Sequence, residues 1–242
     1  MQQRHLKQRL LQKSHSFVLF NSDEFSELIK KGASKLPDRH IHHFKNVFRR
    51  KEAWHALIGD GAGRCVNATI QENQISAEAE IQPITAKPLN VILVQAILKP
   101  KAMALVLQKC AELGVAEIVL LKSERVQGFM ENKDRIDAIL ENACMQSVNF
   151  FKPLISSLDT VQSIATLSAE KYVGSLSAEQ KLFDIKFTSN TQKLAYINGP
   201  EGGFSENEIA ALSAVATPVL LSENVLRAET AAIIATGFLT SL

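Results

Sequence analysis

A glycine-rich turn near the end of the chain carries the residues best suited to hold a ligand. It reads Asn198-Gly199-Pro200-Glu201-Gly202-Gly203-Phe204-Ser205 and follows the apolar run 194–197. Its glycines can adopt positive φ and admit another group close to the backbone, and its amides, followed by a helix N-terminus, can bind polar or anionic groups. The spacing matches neither Gly-x-Gly-x-x-Gly nor a loop with a Walker lysine. A dinucleotide or phosphate motif is therefore weakly supported, and a plain connecting turn is the alternative.

A second polar loop follows shortly afterwards. The apolar run Pro218-Val219-Leu220-Leu221-Ser222 leads into Glu223-Asn224-Val225-Leu226-Arg227-Ala228-Glu229-Thr230 and then into a helix rich in small residues. Small side chains permit close backbone approach, so this helix is suited to threading among loops, although an ordinary Ala-rich helix is the alternative. In open α/β sheets, ligands bind where the strands end in loops. The two loops therefore predict a site over residues 198–230.

The elements that must position these loops alternate between strands and helices. Strands are predicted over residues 91–97, 117–121, 172–176, 194–197 and 219–222, and helices over 101–113, 135–146 and 229–241. A further helix is predicted to begin at Ser205, where Glu208 completes a capping-box pattern. The continuous apolar run 91–97 is typical of a strand inside a parallel sheet. The alternation favours an α/β fold with a mostly parallel sheet covered on both faces.

The first third of the chain has a different pattern. Strands are predicted over residues 16–20, 65–70 and 75–81, a helix over 39–50 and a turn over 59–63. Short strands with one helix favour a small β-rich barrel, and residues 83–88 resemble a linker. The predicted domains are therefore residues 1–85 and 86–242.

Composition and charge restrict the class of protein. Hydrophobic residues make up 46% of the 242 residues and charged residues 21%, and no apolar run is long enough for a membrane helix. Three scattered cysteines argue against a disulfide framework or a zinc site, so we expect a cytoplasmic protein with no metal and no membrane partner. Residues 1–55 hold twelve Lys/Arg against five Asp/Glu. This basic segment suggests a nucleic-acid partner, with a solvated basic face as the alternative.

Several motifs together resemble the ribosomal RNA small-subunit methyltransferase E family, which belongs to the SPOUT class of RNA methyltransferases. The most specific motifs are Gly199-Pro200-Glu201-Gly202-Gly203 and Leu226-Arg227-Ala228-Glu229-Thr230. Upstream blocks with the same order and spacing are Leu98-Lys99-Pro100-Lys101, residues 107–115 and Ser123-Glu124-Arg125. In the first domain, His42-His43 and Asp60-Gly61-Ala62-Gly63 are similar to the family's small RNA-binding barrel. The resemblance extends from about residue 39 to the C-terminus.

The resemblance implies a fold, a cofactor and an assembly. The second domain would be an α/β trefoil-knot domain of the SPOUT class, with the knot over about residues 170–242, and the first a PUA-like β-barrel. S-adenosyl-L-methionine would lie bent in the knot, with its adenine against the backbone of 220–226 and its other parts against the glycine-rich turn. Members of the family are homodimers in which the partner chain completes each site. The implied cofactor-binding residues are Leu176, Ile197, Gly199, Pro200, Glu201, Gly202, Gly203, Leu220, Leu221, Ser222, Val225, Leu226, Arg227 and Thr230.

The implied reaction is methyl transfer to N3 of a uridine in 16S ribosomal RNA of the small subunit. The uridine imide must lose a proton, the sulfonium must lie in line with that nitrogen, and the base must be unpaired or splayed out. Arg227 is predicted to stabilise the developing anion, because it is always charged and presents forked donors. A phosphate contact or a salt bridge with Glu229 is the alternative. Glu201 or Glu229 would accept the proton or orient the sugar, with capping or pairing inside the knot as the alternative.

RNA contacts are predicted in both domains. Phosphate contacts are assigned to His42, His43, Lys45, Arg49 and Arg50, whereas Glu124 and Arg125 would face the RNA or the dimer partner, or form a solvated loop pair. The chain departs from the family pattern at residues 145–149, which read Met-Gln-Ser-Val-Asn where the family has Glu-Gln-Ser-Gly-Arg. Three alternatives stay open: a methyltransferase with another RNA target, an RNA-binding, ribosome-associated protein that keeps the fold without catalysis, and a nucleotide-binding α/β protein of another kind.

Overall fold

The computed structural model of the chain describes residues 16–41, 53–83, 90–126, 132–187 and 193–242. The chain divides into two compact units. The first unit comprises Met1–Lys87 and Cys144–Phe151, and the second comprises Pro88–Ala143 and Lys152–Leu242. Each unit has its own hydrophobic core.

The first unit contains a five-stranded sheet with the strand order β1-β3-β4-β5-β2. Strands β1 and β3 are parallel, and the remaining pairs are antiparallel. The strands are β1 (Phe17–Leu19), β2 (Ala33–Lys35), β3 (Trp54–Gly59), β4 (Arg64–Gln71) and β5 (Gln74–Pro83). In the described residues this sheet is open, with β1 and β2 at its two edges, so the predicted closed barrel is not confirmed.

Helix α1 (Ser22–Lys31) connects the first two strands and was not predicted from the sequence. It begins at a capping box, in which the Glu24 amide donates to the Asn21 side chain and the Asn21 amide donates to the Glu24 carboxylate. It ends at Gly32, whose φ of 71° places it in the left-handed region that glycine favours. Phe25 and Leu28, three residues apart, are buried against the sheet.

The helix predicted over residues 39–50 is described only at its start, where residues 38–41 are helical. The remainder of that prediction lies outside the described residues. Five of the predicted phosphate contacts lie outside them as well: His42, His43, Lys45, Arg49 and Arg50.

The second unit is built around a six-stranded sheet in which every pair is parallel. The strand order is β11-β9-β10-β6-β7-β8. The strands are β6 (Val91–Ala96), β7 (Glu117–Leu121), β8 (Leu154–Leu158), β9 (Glu170–Gly174), β10 (Leu194–Asn198) and β11 (Thr217–Val219). Strands β6 and β10 lie at the centre and are buried along their whole length, as the continuous apolar pattern predicts.

Helices cover this sheet and connect its strands. They are α2 (Pro100–Leu113), α3 (Lys133–Ser147, whose last residues belong to the first unit), α4 (Glu206–Ser213) and α5 (Ala228–Thr240). Helix α2 has proline in its first turn and ends at Gly114, which has a φ of 82°. Among the described residues, no helix is both long enough and apolar enough to cross a lipid bilayer.

Three strands were not predicted from the sequence: β2, β3 and β8. In the second unit, β9 lies two residues earlier than predicted, and β11 begins two residues earlier. Strand β9 ends at Gly174, because the Ser177 amide then donates to the Ser175 hydroxyl and turns the chain. Strand β11 includes Pro218, which an edge strand tolerates. Strand β8 was missed because it is exposed at the other edge and contains Ser156 and Ser157, so it lacks an apolar run.

Candidate active site

Two adjoining cavities open at the carboxyl ends of strands β9, β10 and β11. The large cavity has a volume of about 1320 Å³ and the small cavity about 140 Å³. Their linings share Gly174, Leu176, Asn198 and Ala231, among others. The large cavity exceeds the 300–1,000 Å³ that is typical of small-molecule sites. It therefore has room for a cofactor-sized ligand and part of a second molecule.

The glycine-rich turn forms one wall of the large cavity. Gly203 has a φ of 69°, so the turn requires glycine there. The Glu201 carboxylate accepts a hydrogen bond of 3.1 Å from the amide of Lys99, which is the N-cap residue of α2. This contact ties the turn to the beginning of a helix. It also shows that Glu201 makes the capping interaction that was the alternative to a chemical role.

Glu208 holds the glycine-rich turn against the loop after β7. Its buried carboxylate accepts hydrogen bonds from the Ser205 amide, the Ser123 hydroxyl and the Glu124 amide. The predicted capping box between Ser205 and Glu208 is confirmed. The other two bonds join segments more than 80 residues apart, and Arg125 continues the contact by donating to the Gly202 carbonyl at 3.4 Å. Glu124 and Arg125 therefore lie beside the turn.

Residues of the loop 221–227 also line the two cavities. The amides of Leu221, Val225 and Leu226 have no hydrogen-bond partner among the described residues. Arg227 follows at the N-cap of α5, with 86% of its side chain exposed and its guanidinium 3.9 Å from the Glu229 carboxylate. Glu229 is only 18% exposed. The salt bridge weighed as an alternative for Arg227 is thus present, although it is long.

Asn198 fixes the position of α5 relative to the centre of the sheet. Its buried amide nitrogen donates to the Gln95 side chain at 2.9 Å and to the Ala228 carbonyl at 2.8 Å. Gln95, at the corresponding position of the neighbouring strand β6, donates in turn to the Ala96 carbonyl. Because Ala228 begins α5, this network sets where Arg227 and Glu229 stand over the cavity.

Residues 180–183, which follow β9, contact Leu220 after β11 and Phe238 of α5. The Leu182 amide donates to the Leu220 carbonyl, and the Leu220 amide donates to the Gln180 carbonyl. The Phe183 ring packs edge-on against Phe238 of α5, with their centroids 4.9 Å apart. This segment therefore holds Leu220, where the second loop begins.

The three predicted catalytic side chains, those of Arg227, Glu201 and Glu229, all line the large cavity. Of the residues predicted to bind the cofactor, Ile197, Gly202 and Thr230 lie outside both linings, and the Ile197 side chain packs in the core on the other face of β10. The remaining predicted residues line one or both cavities: Leu176, Gly199, Pro200, Glu201, Gly203, Leu220, Leu221, Ser222, Val225, Leu226 and Arg227.

Several lining residues were not predicted from the sequence. Lys99 and Lys101 bring positive charge to the large cavity from the start of α2, and Tyr196 and Asn198 reach the small cavity from β10. The available signal was the polar character of Tyr196 and Asn198 in an otherwise apolar strand, at alternate positions that share one face. Among the described residues, no group of three His, Cys, Asp or Glu is arranged to hold a metal ion.

An open parallel sheet with a ligand cavity at its carboxyl edge is the arrangement of a small-molecule-binding α/β domain. A family model described as an RNA methyltransferase domain matches residues 85–240, and the chain belongs to that family. The curated relatives include proteins named ribosomal RNA small subunit methyltransferase E. The protein from Rickettsia conorii is 28% identical over 216 residues, covering 82% of this chain and 85% of that protein. The one from Mesomycoplasma hyopneumoniae is 32% identical over 154 residues, covering 61% and 68%.

Solved structures support the same relationship. The ribosomal RNA small subunit methyltransferase E of Neisseria gonorrhoeae, bound to S-adenosyl methionine, has a TM-score of 0.74 at 28% identity, covering 86% of this chain and 91% of that one. A Legionella pneumophila structure in complex with bound SAM has a TM-score of 0.76 at 28% identity, with the same coverage. The resemblance drawn from the glycine-rich and Leu-Arg-x-Glu-Thr motifs is therefore confirmed.

Proposed function

We propose that the protein is an S-adenosylmethionine-dependent methyltransferase that modifies N3 of a uridine in 16S ribosomal RNA. The observation that carries this proposal is the large cavity, whose lining combines the glycine-rich turn, the second loop and the side chains of Arg227, Glu201 and Glu229. Membership of the RNA methyltransferase family and the SAM-bound relatives support the cofactor. The names of the curated relatives support a small-subunit RNA substrate.

The residues present fit this cofactor. The amides of Leu221, Val225 and Leu226 have no hydrogen-bond partners among the described residues, and all three residues line the small cavity. Leu176 and Leu220 add apolar side chains to the same lining. Such donors match the ring nitrogens and hydroxyls of an adenosine group. The glycine-rich turn would hold the methionine part, and Glu201 or Glu229 would attract its positive charge.

We also propose that the second unit has the SPOUT trefoil knot and that the protein is a homodimer whose partner completes each site. The knot proposal is supported by the way residues 180–183 pair with Leu220 and pack against α5. The small side chains of Ala232 and Ala235, both fully buried, allow α5 to lie close to its neighbours. The PUA-like assignment for the first domain stays a proposal that rests on the motifs at 42–43 and 60–63.

In the reaction, the bound cofactor supplies an electrophilic methyl group on a sulfonium. The chain must hold the uridine base against that group, exclude water and remove the N3 proton. Arg227 is exposed at the rim, where its guanidinium can reach a uridine carbonyl oxygen and stabilise the negative charge that develops on the ring. Glu229 lies beside it as the candidate proton acceptor, whereas the Glu201 carboxylate already accepts from Lys99.

The decisive experiment combines Arg227→Ala with a direct assay of the product. We expect the wild-type protein to form 3-methyluridine in small ribosomal subunits from cells that lack this protein, detected by mass spectrometry of nucleosides. We expect Arg227→Ala to lower the rate at least a hundredfold, the usual scale for losing one transition-state donor. The fold and most of the cofactor affinity should persist, because the side chain is largely exposed and makes no capping bond.

Arg227→Lys is the matched control, since it keeps the positive charge but loses the paired N–H donors of the guanidinium. We expect this variant to have an intermediate rate. Wild-type turnover by Arg227→Ala would contradict the role of Arg227. Cofactor binding by the wild-type protein without methylation of any RNA would instead favour the ribosome-associated binding protein. A methylated nucleoside other than 3-methyluridine would favour another RNA target.

A further inference from the structure

The Tyr196 hydroxyl of the second unit is buried and has no hydrogen-bond partner among the described residues. The Tyr196 side chain, at the centre of β10, is fully buried. Buried phenol groups usually find a partner, because an unsatisfied donor loses its bonds to water without replacement. This hydroxyl has no part in the network around Asn198, which lies two residues further along the same face.

The hydroxyl lies where β9 ends beside the small cavity. A Cβ atom at Gly174 would overlap the Tyr196 hydroxyl oxygen, so the phenol occupies space that only glycine leaves free. Gly174, Tyr196 and Ala231 all line the small cavity. The glycine on β9 therefore leaves room for the phenol beside this cavity.

The lining of the small cavity differs chemically from that of the large one. It contains no charged side chain among the described residues, whereas Lys99, Glu201, Arg227 and Glu229 all line the large cavity. The small cavity is lined by apolar side chains, by the uncharged polar side chains of Ser175, Ser222 and Asn224, and by second-loop residues whose amides are unpaired among the described residues. Such a surface suits a flat, uncharged group that carries hydrogen-bond acceptors, and it does not suit an amino acid with its two charges.

We propose that the Tyr196 hydroxyl donates a hydrogen bond to the adenosine part of the cofactor and helps to select that group. This inference rests on the proposed function, because it takes S-adenosylmethionine as the ligand. Burial raises the pKa of Tyr196, so the hydroxyl stays protonated and available as a donor at every physiological pH. Ligand binding would then satisfy the donor that the ligand-free structure leaves unpaired.

The test is the affinity of Tyr196→Phe, which removes one oxygen atom and keeps the ring. Titration calorimetry would measure the Kd of S-adenosylmethionine and of 5′-methylthioadenosine, which contains the adenosine part without the amino acid. We expect both ligands to bind roughly three- to tenfold more weakly than to the wild-type protein, the effect of losing one neutral hydrogen bond. The Tm of the ligand-free variant should be unchanged or higher, because an unsatisfied buried donor has been removed.

Tyr172→Phe is the matched control, since Tyr172 is the only other tyrosine of the chain. Its hydroxyl donates to Glu170, and its side chain is outside both cavity linings, so affinity for both ligands should be unchanged.

Three results would overturn the inference while leaving the proposed function intact: unchanged affinity in Tyr196→Phe, a loss seen with S-adenosylmethionine but not with 5′-methylthioadenosine, or a clear fall in the Tm of the ligand-free variant. A wild-type protein that binds neither ligand would overturn the proposed function, and this inference with it.

Discussion

Gly174 and Tyr196 lie in contact, and the Tyr196 hydroxyl leaves no room for a side chain at position 174. A Cβ at Gly174 would overlap the Tyr196 hydroxyl, and the ring carbon that carries it would be 3.3 Å away. We therefore predict that Gly174→Ala destabilises the protein by about 1–3 kcal/mol, the usual range for overpacking a core. In the double variant that combines Gly174→Ala with Tyr196→Phe, most of this loss of stability should disappear, because phenylalanine lacks the oxygen atom that would clash with the new Cβ. Urea unfolding of the two single variants and the double variant measures this coupling.

Gly237→Ala is the matched control for that substitution. Gly237 lies inside α5, and a Cβ there would meet the Leu113 methyl groups at 3.7–3.8 Å, which is ordinary van der Waals contact. The added methyl should raise stability by up to about 1 kcal/mol, because alanine is the better helix former. Additive effects of Gly174→Ala and Tyr196→Phe would show that the two residues do not compete for the same space.

At the scale of residues, the sequence predicted local interactions better than distant ones. The capping box of Ser205 and Glu208 follows from residues three positions apart. The bonds of Glu208 to Ser123 and Glu124, and of Glu201 to Lys99, join segments that only the folded sheet brings together. The motif resemblance placed Arg227, Glu201 and Glu229 at one site, whereas Tyr196 belongs to no motif and was missed.

At the scale of elements, the second unit was predicted well because its strands are buried and its helices have clear ends. The run 91–97 could be assigned from hydrophobicity alone, and Gly114 marks the end of α2. Strand β8 was missed because it is exposed, and β3 and α1 of the first unit were missed as well. The capping box of α1 was present in the sequence as Asn21 and Glu24, so that helix could have been found.

The N-terminal turn of α1 makes the first unit sensitive to acid. Burial raises the pKa of Glu24, but its hydrogen bonds with Arg39 and the Asn21 amide outweigh that effect and hold the pKa below its usual value. A carboxylate with a lowered pKa contributes stability above its unfolded-state pKa of about 4.3, and the contribution is lost as the pH falls through the folded-state value. We predict that Glu24→Gln lowers the free energy of unfolding by about 1 kcal/mol at pH 7 and by much less at pH 3.

Denaturant unfolding followed by fluorescence suits this measurement, because Trp54 is the only tryptophan and lies in β3 of the same unit. Glu27→Gln is the control on the same helix, since the Glu27 side chain is exposed and forms an ion pair with Lys31 one turn along the helix. It should change stability by less than about 0.5 kcal/mol. A loss for Glu24→Gln that is the same at both pH values would show that the charge of Glu24 is not responsible.

At the scale of the whole molecule, charge is distributed unevenly along the chain. Residues 1–55 have an excess of seven positive charges, although the net charge of the protein is only +2. The family match begins at residue 85, so this basic segment precedes the methyltransferase domain. A cavity that holds a single nucleotide would not supply the affinity for a large RNA, because phosphate contacts dominate that affinity. We therefore expect cofactor binding and RNA affinity to depend on different parts of the chain.

The dependence of RNA binding on salt tests this division. If Arg49 and Arg50 each neutralise one phosphate, the double variant with alanine at both positions should reduce the slope of log K against log salt concentration by about 1.4–1.8. Fluorescence anisotropy with a labelled 16S ribosomal RNA fragment, repeated at several KCl concentrations, gives the slope. The Kd for S-adenosylmethionine should stay the same, because these residues precede the matched domain.

A double variant with alanine at Lys30 and Lys31 removes the same charge from α1 and serves as the control. If the whole basic segment acted only through its net charge, the two double variants would reduce the slope equally, and the assignment to Arg49 and Arg50 would fail. A larger reduction for the arginine pair, with unchanged cofactor affinity, would place phosphate contacts at those two positions. The loss should then be uniform across RNA sequences, because phosphate contacts carry no base information.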